Sequence, residues 1–279
     1  MRLLTLSLGF ALASSASAQT GKTLLRWSTA APAAYESSVT ATTELRGGDE
    51  DGFFRSHTPD SSRYSQSFIL RPTAGGELDV EVYRGAVTHS DSSAGGFDKL
   101  LRGVQAMIDS LEGTIDRRRV PDLRAAITPD GNVTSFWLPS GSESLVALHL
   151  DLPDDSVAVG DTWRVRGVDL VTMRGQFRAS EASRENDARL VALEERDGRT
   201  VAVIEYALRD EVVGQFESPG QNSSVRFIYE AEGRGEFDVA SGGWIRLEGR
   251  RRTESNFPTE QIGTETFVLL PLDTIPTFE

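Results

Sequence analysis

The segment ARLVALEERDGRTVAVIEYAL, residues 188–208, contains two runs of alternating apolar and polar residues joined by Asp197-Gly198. Asp-Gly is a preferred sequence for two-residue type I′ turns, whose central residues both take a positive φ. Counting outward from this turn pairs Arg196 with Arg199, Leu193 with Ala202, Val191 with Ile204, and Arg189 with Tyr206. Because apolar residues then meet across the two runs, the segment predicts a long antiparallel hairpin in this register.

The same alternation recurs on both sides of this hairpin. Residues 64–70 and 78–82 alternate around a proline- and glycine-containing turn, and residues 123–128 and 133–138 flank Pro129-Asp130-Gly131-Asn132. Proline presets φ for such a turn and glycine can take its left-handed position. Further strands are expected at residues 24–27, 35–45, 225–229 and 267–270, and at 237–239 and 245–247 on either side of the Ser241-Gly242-Gly243 turn. About ten to twelve strands joined mainly by tight turns predict an antiparallel sheet.

One segment, residues 97–112, has the apolar period of a helix instead. Gly95 and Gly96 precede it and Gly113 follows it, where a left-handed residue would end the helix. We therefore expect one amphipathic helix that has to bury its apolar side against the sheet. The apolar stripe consists of Phe97, Leu100, Leu101, Val104, Met107, Ile108 and Leu111.

These patterns predict a mainly β fold, a large curved antiparallel sheet or half-barrel with the 97–112 helix in or on its concave side. Glycines at positions such as 233, 235 and 249 fall where a twisted sheet would bend. A two-sheet β-sandwich capped by the helix is the alternative. Residues 19–279 form either one domain or two sub-lobes that divide near 139–144, where Pro139 precedes a serine- and glycine-rich run.

The N-terminus has the pattern of a secretory signal peptide. Met1 and Arg2 precede an apolar run at residues 3–13, and Ala16-Ser17-Ala18 matches a small-residue cleavage site. The run is too short to anchor the chain in a bilayer, and no later segment has the ~18 apolar residues of a membrane helix. We expect a mature chain in the periplasm or outside the cell.

Composition excludes several classes of function. The chain has 42 acidic and 29 basic residues, and a net charge of -13 repels nucleic acid backbones. It has no cysteine, which excludes disulfides, thiolate nucleophiles and cysteine metal sites. His57, His89 and His149 lack metal-ligand spacing, and no nucleotide-binding, zinc-protease or hydrolase motif occurs. We therefore expect no metal and no cofactor, and the lack of these motifs weighs against an enzyme.

Several short motifs resemble an uncharacterised family of bacterial secreted β-rich domains. They are Leu24-Leu25-Arg26-Trp27, Ala126-Ile127-Thr128-Pro129-Asp130-Gly131-Asn132-Val133, the stretch from Leu152-Pro153 to Val159-Gly160-Asp161-Thr162-Trp163, and Gly235-Glu236-Phe237-Asp238 with Gly242-Gly243-Trp244. The resemblance to that family implies no activity for this chain. The architecture is also similar to lipoprotein carriers of the LolA type, and this likeness implies a curved sheet lined by apolar residues and plugged by helices.

The sequence leaves three functions open. The first is a non-catalytic binding protein that holds a lipid-like or other hydrophobic ligand under the helix. The second is a structural or protein-interaction module of the cell envelope, and the third is a hydrolase without a visible nucleophile and base. For the first, the expected ligand-binding residues are Phe97, Leu101, Val104, Ile108 and Leu111.

The signal peptide gives the first testable prediction. Expression with export in a Gram-negative host should yield a mature protein that begins at Gln19, because cleavage follows Ala18. N-terminal sequencing and the intact mass of the exported protein check this. Recovery of the full chain with Met1 retained in the cytoplasm would contradict it.

Overall fold

The computed structural model describes residues 21–46, 60–85, 87–89, 121–137, 150–166, 177–218, 221–256 and 260–277. All twelve elements with defined bounds in these ranges are β-strands, which confirms the mainly β prediction. The predicted helix at 97–112, the signal peptide at 1–18 and the boundary near 139–144 lie outside the described residues. Within the described ranges, no helix has the length and apolar character needed to cross a membrane.

The twelve strands form one antiparallel sheet with the order β6-β5-β3-β2-β1-β12-β11-β10-β9-β8-β7, and β4 pairs beside this path with β2. The strands are β1 Ala33–Arg46, β2 Asp60–Pro72, β3 Leu78–Arg84, β4 Thr88–His89, β5 Leu123–Ile127, β6 Val133–Trp137, β7 Thr162–Arg164, β8 Phe177–Arg196, β9 Arg199–Ser218, β10 Gln221–Asp238, β11 Gly243–Ser255 and β12 Glu260–Pro271.

The hairpin of β8 and β9 is confirmed, but its predicted register is correct only near the turn. Asp197 and Gly198 both have positive φ, as a type I′ turn requires, and Leu193 pairs with Ala202. A bulge at Val191 then shifts the register by one residue, so that Leu190 pairs with Ile204. The predicted Val191–Ile204 and Arg189–Tyr206 pairs are wrong, because counting from a turn assumes a ladder without extra residues.

The sheet curves so strongly that strands near its two edges share one core. Val80 and Leu123, from β3 and β5, belong to the same buried cluster as Leu190 and Ile204, from β8 and β9. No hydrogen-bonded ladder joins β6 to β7 in the described strands, so the sheet stays open. The half-barrel prediction is therefore supported, whereas the β-sandwich alternative is wrong because the described strands all belong to one sheet.

Two irregular segments, residues 21–32 and 150–161, lie across the opening between the two edges. Thr23 forms an isolated bridge with Val157, and the Trp27 indole Nε1 donates a hydrogen bond to the Leu150 carbonyl at 2.7 Å. The Trp27 backbone N–H reaches the Pro129 carbonyl in the β5–β6 turn at 2.7 Å. The strand predicted at residues 24–27 is thus wrong, because this backbone pairs with turns and loops rather than with a neighbouring strand.

An arginine with three carboxylates connects the two edges of the sheet. Arg166 follows β7, and its guanidinium lies 3.0 Å from Asp130 in the β5–β6 turn and 2.8 Å from Asp151. Its backbone N–H also donates to Asp151, and Asp154 completes the group. We call these four residues the Arg166 latch. Since Asp151 is almost fully buried, its charge depends on Arg166 for compensation.

The latch gives a prediction for stability. Arg166→Met should lower the free energy of unfolding by about 3 kcal/mol or more, because it leaves buried Asp151 without its partner. The matched control is Arg234→Met, which removes an exposed cross-strand pair with Glu205 and should cost no more than about 1 kcal/mol. Urea unfolding at neutral pH measures both. Equal losses in the two variants would contradict a structural role for the latch.

Candidate ligand-binding site on the inner face

The strand register arranges the inner face of the sheet into rows of directly opposite residues. Side chains two positions apart on a strand point to the same face, so successive rows lie about 7 Å apart. We call one row, which crosses from β7 to β2, the Tyr206 row. It contains Trp163, Ala188, Tyr206, Gly233, Gly249, Phe267, Val39 and Tyr64.

The row next to it, which we call the Arg251 row, carries an ion pair between a buried arginine and a partly exposed glutamate. Arg251 and Glu265 are directly opposite on β11 and β12, and their side chains approach to 3.2 Å between Nε and Oε2. The row contains Asn186, Leu208, Ala231, Arg251, Glu265 and Ala41. A third row, on the other side of the Tyr206 row, includes Ser37 and Gln66.

Two glycines let Tyr206 lie flat across the inner face. A Cβ atom placed on Gly233 would come within 2.2 Å of the Tyr206 hydroxyl oxygen. A Cβ atom on Gly249 would lie 2.7 Å from the same oxygen. Any side chain at either position would therefore push the phenol away, so both glycines are required for this close approach.

Only 5% of Arg251 is exposed to solvent, and aromatic side chains lie around it. Its guanidinium carbon lies 5.0 Å from the centre of the Phe267 ring, within the range of a cation–π contact. The Tyr64 hydroxyl donates a hydrogen bond to Glu265, the ion-pair partner of Arg251, at 3.1 Å. Burial lowers the pKa of Arg251, but Glu265 and the neighbouring tyrosines together outweigh burial and hold the pKa above its ordinary value.

The tyrosines of this region keep their hydroxyl protons at physiological pH. Burial raises the pKa of Tyr64 to about 12, and Glu265 adds to the effect. Burial also raises the pKa of Tyr229 to about 12, although the Arg251 charge opposes it. The pKa of Tyr206 rises still further for the same reason. These groups therefore act as neutral donors and acceptors rather than as bases or nucleophiles.

The three rows contain a concentration of buried polar atoms that have no hydrogen-bond partner in the described part of the chain. We call their residues the polar layer. Each such atom costs about 1–3 kcal/mol if it stays unpaired, so together they rival the whole stability of a domain. The atoms are Ser37 Oγ, Gln66 Oε1, Trp163 Nε1, Asn186 Oδ1, Tyr206 Oη, and Arg251 Nε and Nη2.

Arg251 and Glu265 form an ion pair without a hydrogen bond. The Arg251 Nε lies 3.2 Å from Glu265, yet it makes no hydrogen bond, because the contact lacks the required alignment. Glu265 therefore compensates the charge of the guanidinium but leaves the Nε and Nη2 donors unused. The Arg251–Glu265 pair therefore has no net charge, while two N–H donors of Arg251 have no hydrogen-bond partner among the described residues.

An aromatic cluster forms the apolar part of the inner face below the polar layer. Trp27 packs edge-on against Tyr35, Phe237 and Trp244, with ring centres 5.5 to 6.3 Å apart. Leu247, Leu269 and Ile204 continue this surface up to the third row. The inner face thus presents a deep apolar floor beneath a band of hydrogen-bonding groups.

The outer face carries charged ladders and a shallow groove. Cross-strand pairs such as Glu205–Arg234 and Glu232–Arg250 have N–O distances of 2.9 and 2.8 Å. A groove of about 780 Å³ crosses β8 to β11 between these pairs, above Gly233 and Gly249. Across the described ranges, no cluster of histidine and carboxylate side chains has the composition of a metal site.

The residues that the sequence predicts to bind ligand all lie in the helical stripe, and none of them belongs to the polar layer. Phe97, Leu101, Val104, Ile108 and Leu111 lie outside the described residues, so their role stays a prediction. Arg251 stands in an Arg250-Arg251-Arg252 run, which has the composition of a solvated strand. The alternation Leu247, Gly249, Arg251 is the one sequence signal that places it on the inner face.

A pair of substitutions tests whether the Tyr206 hydroxyl is unpaired. In protein stripped of bound small molecules, Tyr206→Phe should leave the free energy of unfolding unchanged or raise it by about 1 kcal/mol. Tyr64→Phe, the matched control, should lower it by about 1–2 kcal/mol because its hydroxyl donates a hydrogen bond to Glu265. Chemical unfolding measures both, and a comparable loss in the two variants would show that Tyr206 has a partner.

No protein-family model matches this chain, and no curated protein matches it. Two solved structures of mutants of the Rh. blastica porin were found to be similar over 87% of this chain and 99% of the porin chain. Both are 8% identical in sequence, with TM-scores of 0.20 and 0.19. Likeness at this level carries no argument about the fold or the function.

Proposed function

We propose that the chain is a non-catalytic secreted protein, periplasmic or extracellular, that binds a lipid-like molecule on the concave face of its half-barrel. The observation that carries this proposal is the polar layer above a continuous apolar floor. An amphiphile has the same two parts, an apolar body and a hydrogen-bonding end, so the two surfaces are chemically complementary.

The groups of the inner face suit binding better than catalysis. The tyrosines hold their protons, and Arg251 is already neutralised by Glu265, so the described site offers no poised base. A hydrolase would need a nucleophile with a base within hydrogen-bonding distance. The buried hydroxyls of Ser37 and Tyr206 have no such neighbour among the described residues.

The outer groove favours a second function, an interaction module of the cell envelope. Its rims are charged residues of both signs held in pairs, which can realign to meet another charged surface. The inner face supports the first function more strongly, because paired surface charges are also the ordinary way to solvate a sheet. Crosslinking in the native host that recovers only monomer would count against the interaction module.

The proposal predicts that purified exported protein carries a bound apolar molecule. Organic extraction followed by mass spectrometry should recover a defined amphiphile in an amount comparable with that of the protein. A stripped sample should bind a solvatochromic apolar dye, and the recovered amphiphile should displace that dye.

The matched control is a variant of the outer face. Arg234→Met leaves the inner face unchanged and should retain the ligand, because Arg234 pairs with exposed Glu205 on the other side of the sheet. The proposal is wrong if no molecule is extracted from the exported protein and the stripped protein does not bind the dye.

A further inference from the structure

We propose that the polar layer selects an uncharged head group with ester and hydroxyl oxygens, so that the ligand is a neutral amphiphile such as a monoacylglycerol rather than a free fatty acid. This inference rests on the proposed function, because it specifies the polar end of the same ligand. It follows from the charge balance of the site and from the kinds of hydrogen-bonding atoms that it contains.

The charge balance argues against an anionic head group. Arg251 lies 3.2 Å from Glu265, and both are directly opposite in the ladder, so the pair is already neutral. A second pair, Arg184 and Asp210, lies in the next row at 3.3 Å. A carboxylate added here would leave a net negative charge in a buried region, which costs far more than burying a neutral group.

The unpaired atoms nevertheless require polar partners. Arg251 Nε and Nη2 and Trp163 Nε1 are donors that call for acceptor oxygens. Asn186 Oδ1 and Gln66 Oε1 are acceptors that call for donors, and the Tyr206 hydroxyl can serve as either. A head group with a carbonyl and free hydroxyls supplies both kinds of partner without adding charge.

The position of these atoms sets the orientation of the ligand. Arg251, Tyr206 and Gln66 come from three successive rows of the inner face, and the aromatic floor around Trp27 begins beyond them. A head group bound at the polar layer therefore directs its acyl chain toward this floor. The glycine pair that lets Tyr206 lie flat keeps its hydroxyl over Gly233 and Gly249, within the middle row of the polar layer.

The test compares two probes of equal chain length, monolauroylglycerol and laurate, by displacement of an apolar dye at pH 8. Wild-type protein stripped of ligand should bind the monoacylglycerol about tenfold or more tighter than laurate, because laurate brings an uncompensated charge. Laurate binding as tightly as the monoacylglycerol, or tighter, overturns the inference.

Three variants locate the selectivity. Arg251→Met with Glu265→Gln removes both charges together, which avoids a lone buried carboxylate, and should weaken monoacylglycerol binding about tenfold. Tyr206→Phe should weaken it about fivefold while the variant remains folded. Arg252→Met, on the outer face of the same strand, is the control and should bind as the wild type does. Unchanged affinity in the double variant and in Tyr206→Phe overturns the inference.

The outcomes separate this inference from the proposed function. If extraction recovers a hydrophobic molecule but the stripped protein shows no preference for the neutral probe, the head-group selectivity fails while ligand binding stands. If nothing is extracted and neither probe nor dye binds, both fail. A double variant that does not fold leaves Tyr206→Phe to decide, because that change removes one oxygen without a partner in the described residues.

Discussion

A single sheet with apolar residues on one face has to bury that face against itself or against another part of the chain. Here the sheet curls until Val80 and Leu190, from strands near opposite edges, belong to one core. The opening between the edge strands β6 and β7 is bridged by irregular segments and by the Arg166 latch rather than by a further hydrogen-bonded ladder. The arrangement of the interior depends on this curvature, because it turns the inner faces of the long strands toward one another.

The polar layer is a costly feature in such a core, and it is concentrated rather than scattered. Its unpaired atoms fall in three adjacent rows, and the Gly233 and Gly249 pair is fitted to the Tyr206 phenol that lies within it. Packing of this kind would be unnecessary if the interior had only to exclude water, because apolar side chains would do so without the desolvation cost. The Arg251–Glu265 ion pair lies in one of these rows and has no net charge. The polar layer therefore presents hydrogen-bonding groups without a net charge.

The predictability of this fold differs between its turns and its interior. The Asp197-Gly198 and Pro129–Asn132 turns were predictable because their residues select backbone conformations locally. The bulge at Val191 was not, since an extra residue in a ladder leaves no mark in the alternation before it. Arg251 was missed for a related reason: its inward direction is set by the register of β11, whereas its neighbours Arg250 and Arg252 face outward.

The order of the strands has a consequence for how the chain reaches its native state. The first strand, β1, lies in the middle of the sheet between β2 and the last strand, β12, so Tyr35 pairs with Pro271. To form this pairing, the chain has to close a loop from β1 to β12, and the entropic cost of closure comes before the pairing stabilises the sheet. Folds dominated by such long-range contacts form slowly. The sheet is therefore incomplete until β12 has been synthesised, and β1 lacks its β12 neighbour for as long as that takes.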